Sequence, residues 1–103
     1  MNHKVFVALL SIIISGCVAH PAWNQYRSAQ SCHFKKQEDC SEYYEKAIKY
    51  NERLPGVHSS YGTYLITKGH INQGIEEINT EIRHHPYSEN AMKLILEKYK
   101  KND

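Results

Sequence analysis

The sequence predicts an all-α protein built from helical hairpins. Between residues 39 and 99, apolar residues recur at intervals of three and four, which is the spacing of a helix with one buried face. Proline and glycine interrupt this pattern often enough to leave only short connections, and short connections make successive helices antiparallel neighbours. A chain of 103 residues has room for one such domain.

Residues 1–16 differ from everything after them. A short start containing Lys4 leads into an apolar run over residues 5–14. This is the layout of a secretory signal peptide. A transmembrane helix needs about twenty apolar residues, roughly twice the length of this run. We therefore expect residues 1–16 to be a signal peptide that is absent from the mature protein.

The end of the apolar run resembles the lipobox of bacterial lipoproteins, in which a cysteine is acylated before cleavage. The four matching residues are Ile14-Ser15-Gly16-Cys17. The resemblance implies that Cys17 carries lipid such as palmitate, and two or three chains anchor stably because each buried methylene contributes about 0.8 kcal/mol. No Asp follows Cys17, which in Gram-negative lipoproteins implies the outer membrane, with the protein facing the periplasm. The alternative is an ordinary signal peptide with a chance cysteine.

Residues 17–38 are predicted to be the lipidated cysteine and a tether. Trp23, Tyr26 and Phe34 are scattered among polar residues without a sustained period, although one short helix over residues 23–30 is compatible with the pattern. The tether would connect the lipid to a helical domain over residues 39–103.

Cys32 and Cys40 remain as a pair once Cys17 carries lipid. In an oxidising compartment such a pair predicts a disulfide, which would close a loop of nine residues and contribute about 2.5 kcal/mol. The alternative is a metal site that uses Cys32, His33 and Cys40. It lacks a fourth ligand and the close paired spacing of zinc motifs.

Capping residues and helix breakers divide residues 39–103 into four helices. The predicted starts are Asp39, with Glu42 at capping-box spacing, then Pro55, Asn72 and Ser88. The predicted ends are Leu54, Gly69 and His85. The predicted core residues are Tyr43, Tyr44, Ala47, Ile48, Leu54, Val57, Tyr61, Tyr64, Leu65, Ile75, Ile78, Ile82, Ala91, Met92, Ile95 and Tyr99. The residues predicted to face water on the third helix are Glu76, Glu77, Glu81 and Arg83.

Residues 55–86 fit the tetratricopeptide pattern of about 34 residues. Gly62 and Gly74 occupy its two small positions, where helices approach closely. His58 stands where that family often has Trp, and Glu81 where it usually has a small residue. This is one degenerate repeat, and because a single repeat cannot bury its own face, the flanking helices must complete a tetratricopeptide-like array.

Taken in order, several features resemble a family of short bacterial lipoproteins of unknown function. The features are the box at Cys17, the aromatic residues Trp23 and Tyr26, the opening Pro55-Gly56-Val57-His58, and the stretch His85-Pro86-Tyr87-Ser88-Glu89. Members of that family have a tetratricopeptide-like core and tend to be encoded beside a lipoprotein similar to the curli secretion channel. The resemblance implies an accessory of an outer-membrane assembly, whose partner is an envelope channel or another lipoprotein.

The remaining observations favour a binding or scaffolding protein over an enzyme. The seven histidines form no recognisable catalytic or metal motif, so we expect no enzyme activity, cofactor, metal or small-molecule substrate. The net charge of +2, with acidic and basic residues interleaved, predicts no nucleic-acid partner. In tetratricopeptide proteins the first helix of each hairpin lines a groove for a partner. The resemblance therefore implies a partner-binding groove formed by Ser59, Thr63, Ile66 and Thr67, and the alternative is that these residues are ordinary solvent-exposed surface. The alternative is a pilotin-like escort or structural envelope lipoprotein without a peptide groove.

Overall fold

A computed structural model describes residues 20–37 and 39–100, and this part of the chain is all-α. The helices are α1 (Pro21–Phe34), α2 (Ser41–Tyr50), α3 (Val57–Thr67), α4 (Ile71–His84), a 3₁₀ turn (Pro86–Ser88) and α5 (Glu89–Lys100). The predicted all-α fold of helical hairpins is confirmed. The predicted signal peptide and Cys17 lie outside the described residues. Of the helices just given, none has the length and apolar character needed to cross a bilayer.

Two helix pairs make the most extensive contacts, α1 with α2 and α3 with α4, and α5 packs on α4. The pair α3 and α4 approaches most closely at Gly62 and Gly74. A Cβ atom on Gly62 would lie 2.6 Å from the carbonyl oxygen of Gly74, and the reverse distance is also 2.6 Å. The two small positions inferred from the repeat pattern therefore meet in the structure.

The prediction of a tether over residues 17–38 is wrong, because most of this segment forms helix α1. Residues Pro21–Phe34 form a helix of 14 residues whose inner face is buried against α2. The buried side chains are Ala22, Tyr26, Ala29 and Cys32. Because two of the four are alanines, the apolar period is too weak to recognise in the sequence, although small side chains suit a close helix contact.

Three of the predicted helix starts shift by one or two residues. Helix α2 begins at Ser41, and the Asp39 carboxylate accepts the Ser41 backbone N–H at 3.0 Å. Helix α3 begins at Val57 rather than at Pro55, since Gly56 has a left-handed φ of +88°. Helix α4 begins at Ile71 rather than after an Asn72 cap. The predicted cap at Gly69 is confirmed, with φ +91°.

The core is formed by two clusters that share α3. One lies among α1, α2 and α3, and the other among α3, α4 and α5. Within the first cluster, tyrosine hydroxyls donate hydrogen bonds to neighbouring helices and turns. Tyr26 donates to the carbonyl of Gly56 at 3.1 Å, and Tyr61 donates to Oε1 of Glu45 at 3.1 Å. Burial, and then the hydrogen bond to Glu45, raise the pKa of Tyr61 to about 12.

Most predicted core residues are buried or half-buried, but four predictions are wrong. Tyr43 and Ala91 are exposed, and of the residues predicted to face water, Glu81 is 3% exposed and Glu77 is half-buried. Tyr43 and Ala91 each lie beside a buried position, Tyr44 and Met92, so helical spacing alone does not separate them. Glu81 is buried because backbone N–H groups of α3 satisfy its carboxylate, as described below.

Candidate binding cleft

A concave surface lies between the end of α1 and the outer side of α3. Its larger recess has a volume of about 340 Å³ and is lined by His33, Lys36, Gln37, Tyr64, Thr67 and Lys68. An adjoining recess of about 330 Å³ is lined by Gln30, His33, Phe34 and Ser60. We call the two recesses, which share His33, the α1–α3 cleft.

The Cys32–Cys40 disulfide holds the α1 side of the cleft in place, with a Cα–Cα distance of 5.7 Å. The predicted disulfide is therefore present. Its sulfurs are bonded to each other, so the alternative metal site that used both cysteines is wrong. The Cys40 backbone N–H donates to the Tyr64 hydroxyl at 2.9 Å, which ties the disulfide directly to α3.

The end of α1 is closed by two backbone hydrogen bonds that set the position of Lys36. The Lys36 N–H donates to the His33 carbonyl at 3.1 Å and the Gln37 N–H donates to the Cys32 carbonyl at 3.1 Å. This is a Schellman motif, which requires a left-handed residue, and Lys36 has φ +56°. The chain therefore turns sharply at Lys36, which lines the cleft.

Aromatic rings form the inner wall of the cleft. Tyr64 is 3% exposed and meets the His33 ring edge-to-face at 5.2 Å between centroids. The Tyr44 hydroxyl lies 3.5 Å from His33 Nδ1 and 2.8 Å from Ser60 Oγ. At the rim, Phe34 is 87% exposed. The wall is thus fixed by packing and hydrogen bonds, whereas the rim leaves a large apolar side chain in water.

The predicted groove does not form as one accessible surface. Ser59 and Thr63 are half-buried, and their hydroxyls donate to carbonyls of Gly56 and Ser59. Ile66 is 8% exposed and belongs to the α3–α5 core cluster, because that side of α3 faces α4 and α5. Thr67 alone of the four lines the α1–α3 cleft.

Sequence reasoning misses most of the cleft because it treats residues 17–38 as a tether. His33 has no predicted role beyond the alternative metal site, and Lys36 and Lys68 carry no motif. Phe34 gives no signal in the sequence either, since single apolar residues are common on protein surfaces.

A polar cluster lies at the start of α3, around His58 and Glu81, the two positions that depart from the tetratricopeptide pattern. The buried Glu81 carboxylate, on α4, accepts the backbone N–H groups of Gly56 at 3.0 Å, His58 at 3.1 Å and Ser59 at 3.1 Å. These N–H groups belong to the positive end of α3, which stabilises a negative charge. Glu81 therefore caps α3 from a neighbouring helix.

His58 completes this cluster. Its Nδ1 lies 2.6 Å from Glu77 Oε2 and its Nε2 lies 2.9 Å from the Glu52 carbonyl oxygen. Burial lowers the pKa of His58, but the hydrogen bonds to Glu77 and Glu52 and the charges of Glu77 and Glu81 outweigh it, so the pKa is raised. Both ring nitrogens face acceptors, and only the doubly protonated ring donates to both.

His84 and His85 are half-buried beside this cluster. The His84 ring meets the His58 ring at 5.2 Å, and His85 Nε2 lies 2.8 Å from the carbonyl oxygen of Arg53. They connect the end of α4 to the turn before α3. Within residues 20–37 and 39–100, no three His, Cys, Asp or Glu side chains are arranged to hold a metal ion.

Comparison of the chain with protein-family models, with curated proteins and with solved structures gives no match.

Proposed function

We propose that this chain is a lipid-anchored protein of the bacterial envelope that binds a segment of a partner protein in the α1–α3 cleft. One observation carries the binding part of the proposal: a concave surface with a rigid aromatic wall and an exposed phenylalanine at its rim. Rigid aromatic walls and exposed aromatic anchors are typical of surfaces that bury a partner side chain.

The shape of the cleft favours a chain segment over a small metabolite. Its two recesses lie side by side, separated by His33, so that consecutive or alternate side chains of one segment can occupy them. The exposed fraction of Phe34 would fall on binding, and burying a phenylalanine side chain stabilises a complex by about 1.5–3 kcal/mol. The wall needs no rearrangement, because Tyr64 is already held by the Cys40 N–H.

The anchoring part of the proposal is supported by the lipobox-like sequence and by the disulfide. A disulfide between Cys32 and Cys40 suits a compartment outside the cytoplasm. Cys17 precedes the start of α1 at Pro21 by only four positions, so lipid on Cys17 would hold the helical domain close to the bilayer. A partner within reach would be an envelope channel or another lipoprotein.

Site-specific photo-crosslinking in the producing bacterium tests the binding surface. A benzophenone amino acid in place of Thr67, which lines the cleft, is compared with the same probe in place of Lys98, which is exposed on α5. We expect a discrete adduct, identified by mass spectrometry, from position 67 only. The adduct should disappear when Phe34→Ser is added, while circular dichroism of the purified chain stays unchanged.

Two outcomes would contradict the proposal. One is the same set of adducts from positions 67 and 98, which would indicate random encounters. The other is an adduct at position 67 that survives Phe34→Ser, together with unchanged crosslinking after Tyr64→Ala, because the aromatic wall and rim would then play no part in binding.

A further inference from the structure

We propose that the segment bound in the α1–α3 cleft is acidic, an inference that rests on the proposed function and names the chemistry of the partner. The cleft is lined by Lys36 and Lys68 together with His33, Gln37, Tyr64 and Thr67. None of these side chains carries a negative charge. Among the described residues, a partner that enters the cleft therefore meets two ammonium groups and no carboxylate.

The two lysines have no carboxylate partner among residues 20–37 and 39–100. The lysines that do form ion pairs in this part of the chain are Lys46 with Glu42 and Lys93 with Glu89. Lys68 instead places Nζ 5.7 Å from the centre of the Tyr64 ring, at the cleft wall. An ammonium group held over an aromatic ring stays available to an incoming carboxylate.

Asp39 is the acidic side chain nearest in sequence to the lining among the described residues, and it is engaged locally. Its Oδ1 accepts the backbone N–H of Ser41 at 3.0 Å, at the start of α2. A carboxylate at a helix N-terminus is stabilised there, and in the part of the chain that the structure describes Asp39 forms no ion pair with Lys36 or Lys68.

The distribution of charge along the chain also supports an acidic partner. It is less even than the interleaving of acidic and basic residues described above. Residues 1–37 contain no Asp or Glu, and all eleven acidic residues of the chain lie between positions 38 and 103. Of these residues, the described segment 20–37 carries Arg27, Lys35 and Lys36, and Lys36 lines the cleft. Complementary charge favours association with an acidic partner and accelerates the encounter.

A concave site favours an acidic peptide segment over an anionic bilayer surface. Tyr64 forms the inner wall and is almost fully buried, so a ligand must enter the recess to contact it. A bilayer is flat on this scale and meets protruding side chains, not recessed ones. A peptide side chain that ends in a carboxylate can enter, with its methylenes against Tyr64 and its charge between the two lysines.

Selection from a random peptide library displayed on phage tests the inference and requires no candidate partner. The full chain is immobilised and selected in parallel with the double variant Lys36→Glu, Lys68→Glu and with the control Lys98→Glu. The control places a charge reversal of the same kind on α5, away from the cleft. Circular dichroism verifies that all three chains keep their helix content.

We expect peptides selected on the native chain and on Lys98→Glu to be enriched in Asp and Glu at least about threefold over the library, with enrichment abolished on the double variant. Synthetic versions of the selected peptides should bind the double variant at least about tenfold more weakly than they bind the native chain. Raising the salt concentration should weaken their binding to the native chain.

The contradicting outcomes separate the inference from the proposed function. If the selected peptides are neutral or basic but do not bind the Phe34→Ser variant, the inference of an acidic partner is wrong and the proposed binding cleft is still supported. If no peptide is selected on the native chain, both the proposed binding function and the acidic partner are contradicted. Pelleting with phosphatidylglycerol vesicles that is lost in the double variant, without acidic winners, would overturn the inference in favour of a lipid surface.

Discussion

Gly62 and Gly74 face each other across α3 and α4 so closely that a Cβ atom on either would lie 2.6 Å from the carbonyl oxygen of the other. A Cβ on Gly62 would also lie 2.7 Å from Cγ1 of Ile78. Because the backbone of a helix cannot yield locally, a side chain at either position must push the two helices apart. This contact therefore sets the spacing of the central hairpin.

Replacing either glycine should destabilise the fold through packing. We expect Gly62→Ala to lower the free energy of unfolding by about 2–3 kcal/mol, in the range of overpacked cores. Gly69→Ala is the control, since it meets no atom within 4 Å and should cost only about 1 kcal/mol for its left-handed backbone. Urea unfolding followed by circular dichroism measures both. Equal losses would show that the helix contact is not tight.

Lys36 offers a stabilising substitution. It occupies the left-handed position of the Schellman motif at the end of α1, where glycine avoids the Cβ penalty. We expect Lys36→Gly to raise the free energy of unfolding by about 0.5–1 kcal/mol, and Lys35→Gly, at an ordinary φ of −79°, to lower it. A thermal unfolding midpoint that falls in Lys36→Gly would contradict the assigned geometry.

Glu81 should contribute more to stability than any exposed carboxylate on the same helix. Glu81→Ala leaves three backbone N–H groups at the start of α3 without their acceptor, and we expect a loss of about 3 kcal/mol. Glu76→Ala, on the exposed side of α4, should change stability by less than about 0.5 kcal/mol. Amide hydrogen exchange at His58 and Ser59 should accelerate in Glu81→Ala alone. Unchanged protection of those amides would refute the capping role.

Because of His58, we expect the free energy of unfolding to decrease as the pH becomes alkaline. Its pKa in the folded chain is raised above the unfolded value of 6.5, so protonation favours the folded state. The stabilisation is complete below pH 6.5 and is lost as the pH rises through the folded pKa. The groups that face the ring are Glu77, Glu81, the carbonyl of Glu52 and the ring of His84.

Urea midpoints measured at about pH 6 and about pH 9 test this dependence. We expect the native chain to have a lower midpoint at the alkaline value, and His58→Gln to show a much smaller difference between the two. An NMR titration of the His58 ring should place its pKa above that of an exposed histidine. Identical midpoints for the native chain at both values would contradict a charged His58.

Helical spacing is sufficient to predict the part of the fold that rests on branched apolar residues. Val57, Leu65 and Ile78 each belong to a series of apolar residues spaced by three and four, and all three lie in the core. The repeat pattern locates the glycines of α3 and α4. Helix α1 escapes prediction because its buried face consists of Ala22, Tyr26, Ala29 and Cys32, among which only one side chain is large.

The candidate site is harder to predict because it depends on tertiary contacts. The burial of Glu81 follows from the approach of α3, whose free N–H groups no sequence period reveals. The repeat position of Ile66 predicts a groove residue, yet α4 and α5 cover it. Thr67 is predicted correctly to lie on an accessible surface, but its neighbours across the cleft come from α1.

The placement of the chain at a membrane is the claim on which the proposed function depends. Intact mass spectrometry of the protein purified from its own bacterium tests it most directly. We predict a chain that begins at Cys17, carries two or three acyl groups on that residue and is lighter by two hydrogens because Cys32 and Cys40 are joined. An unacylated chain that retains residues 1–16 would contradict the account.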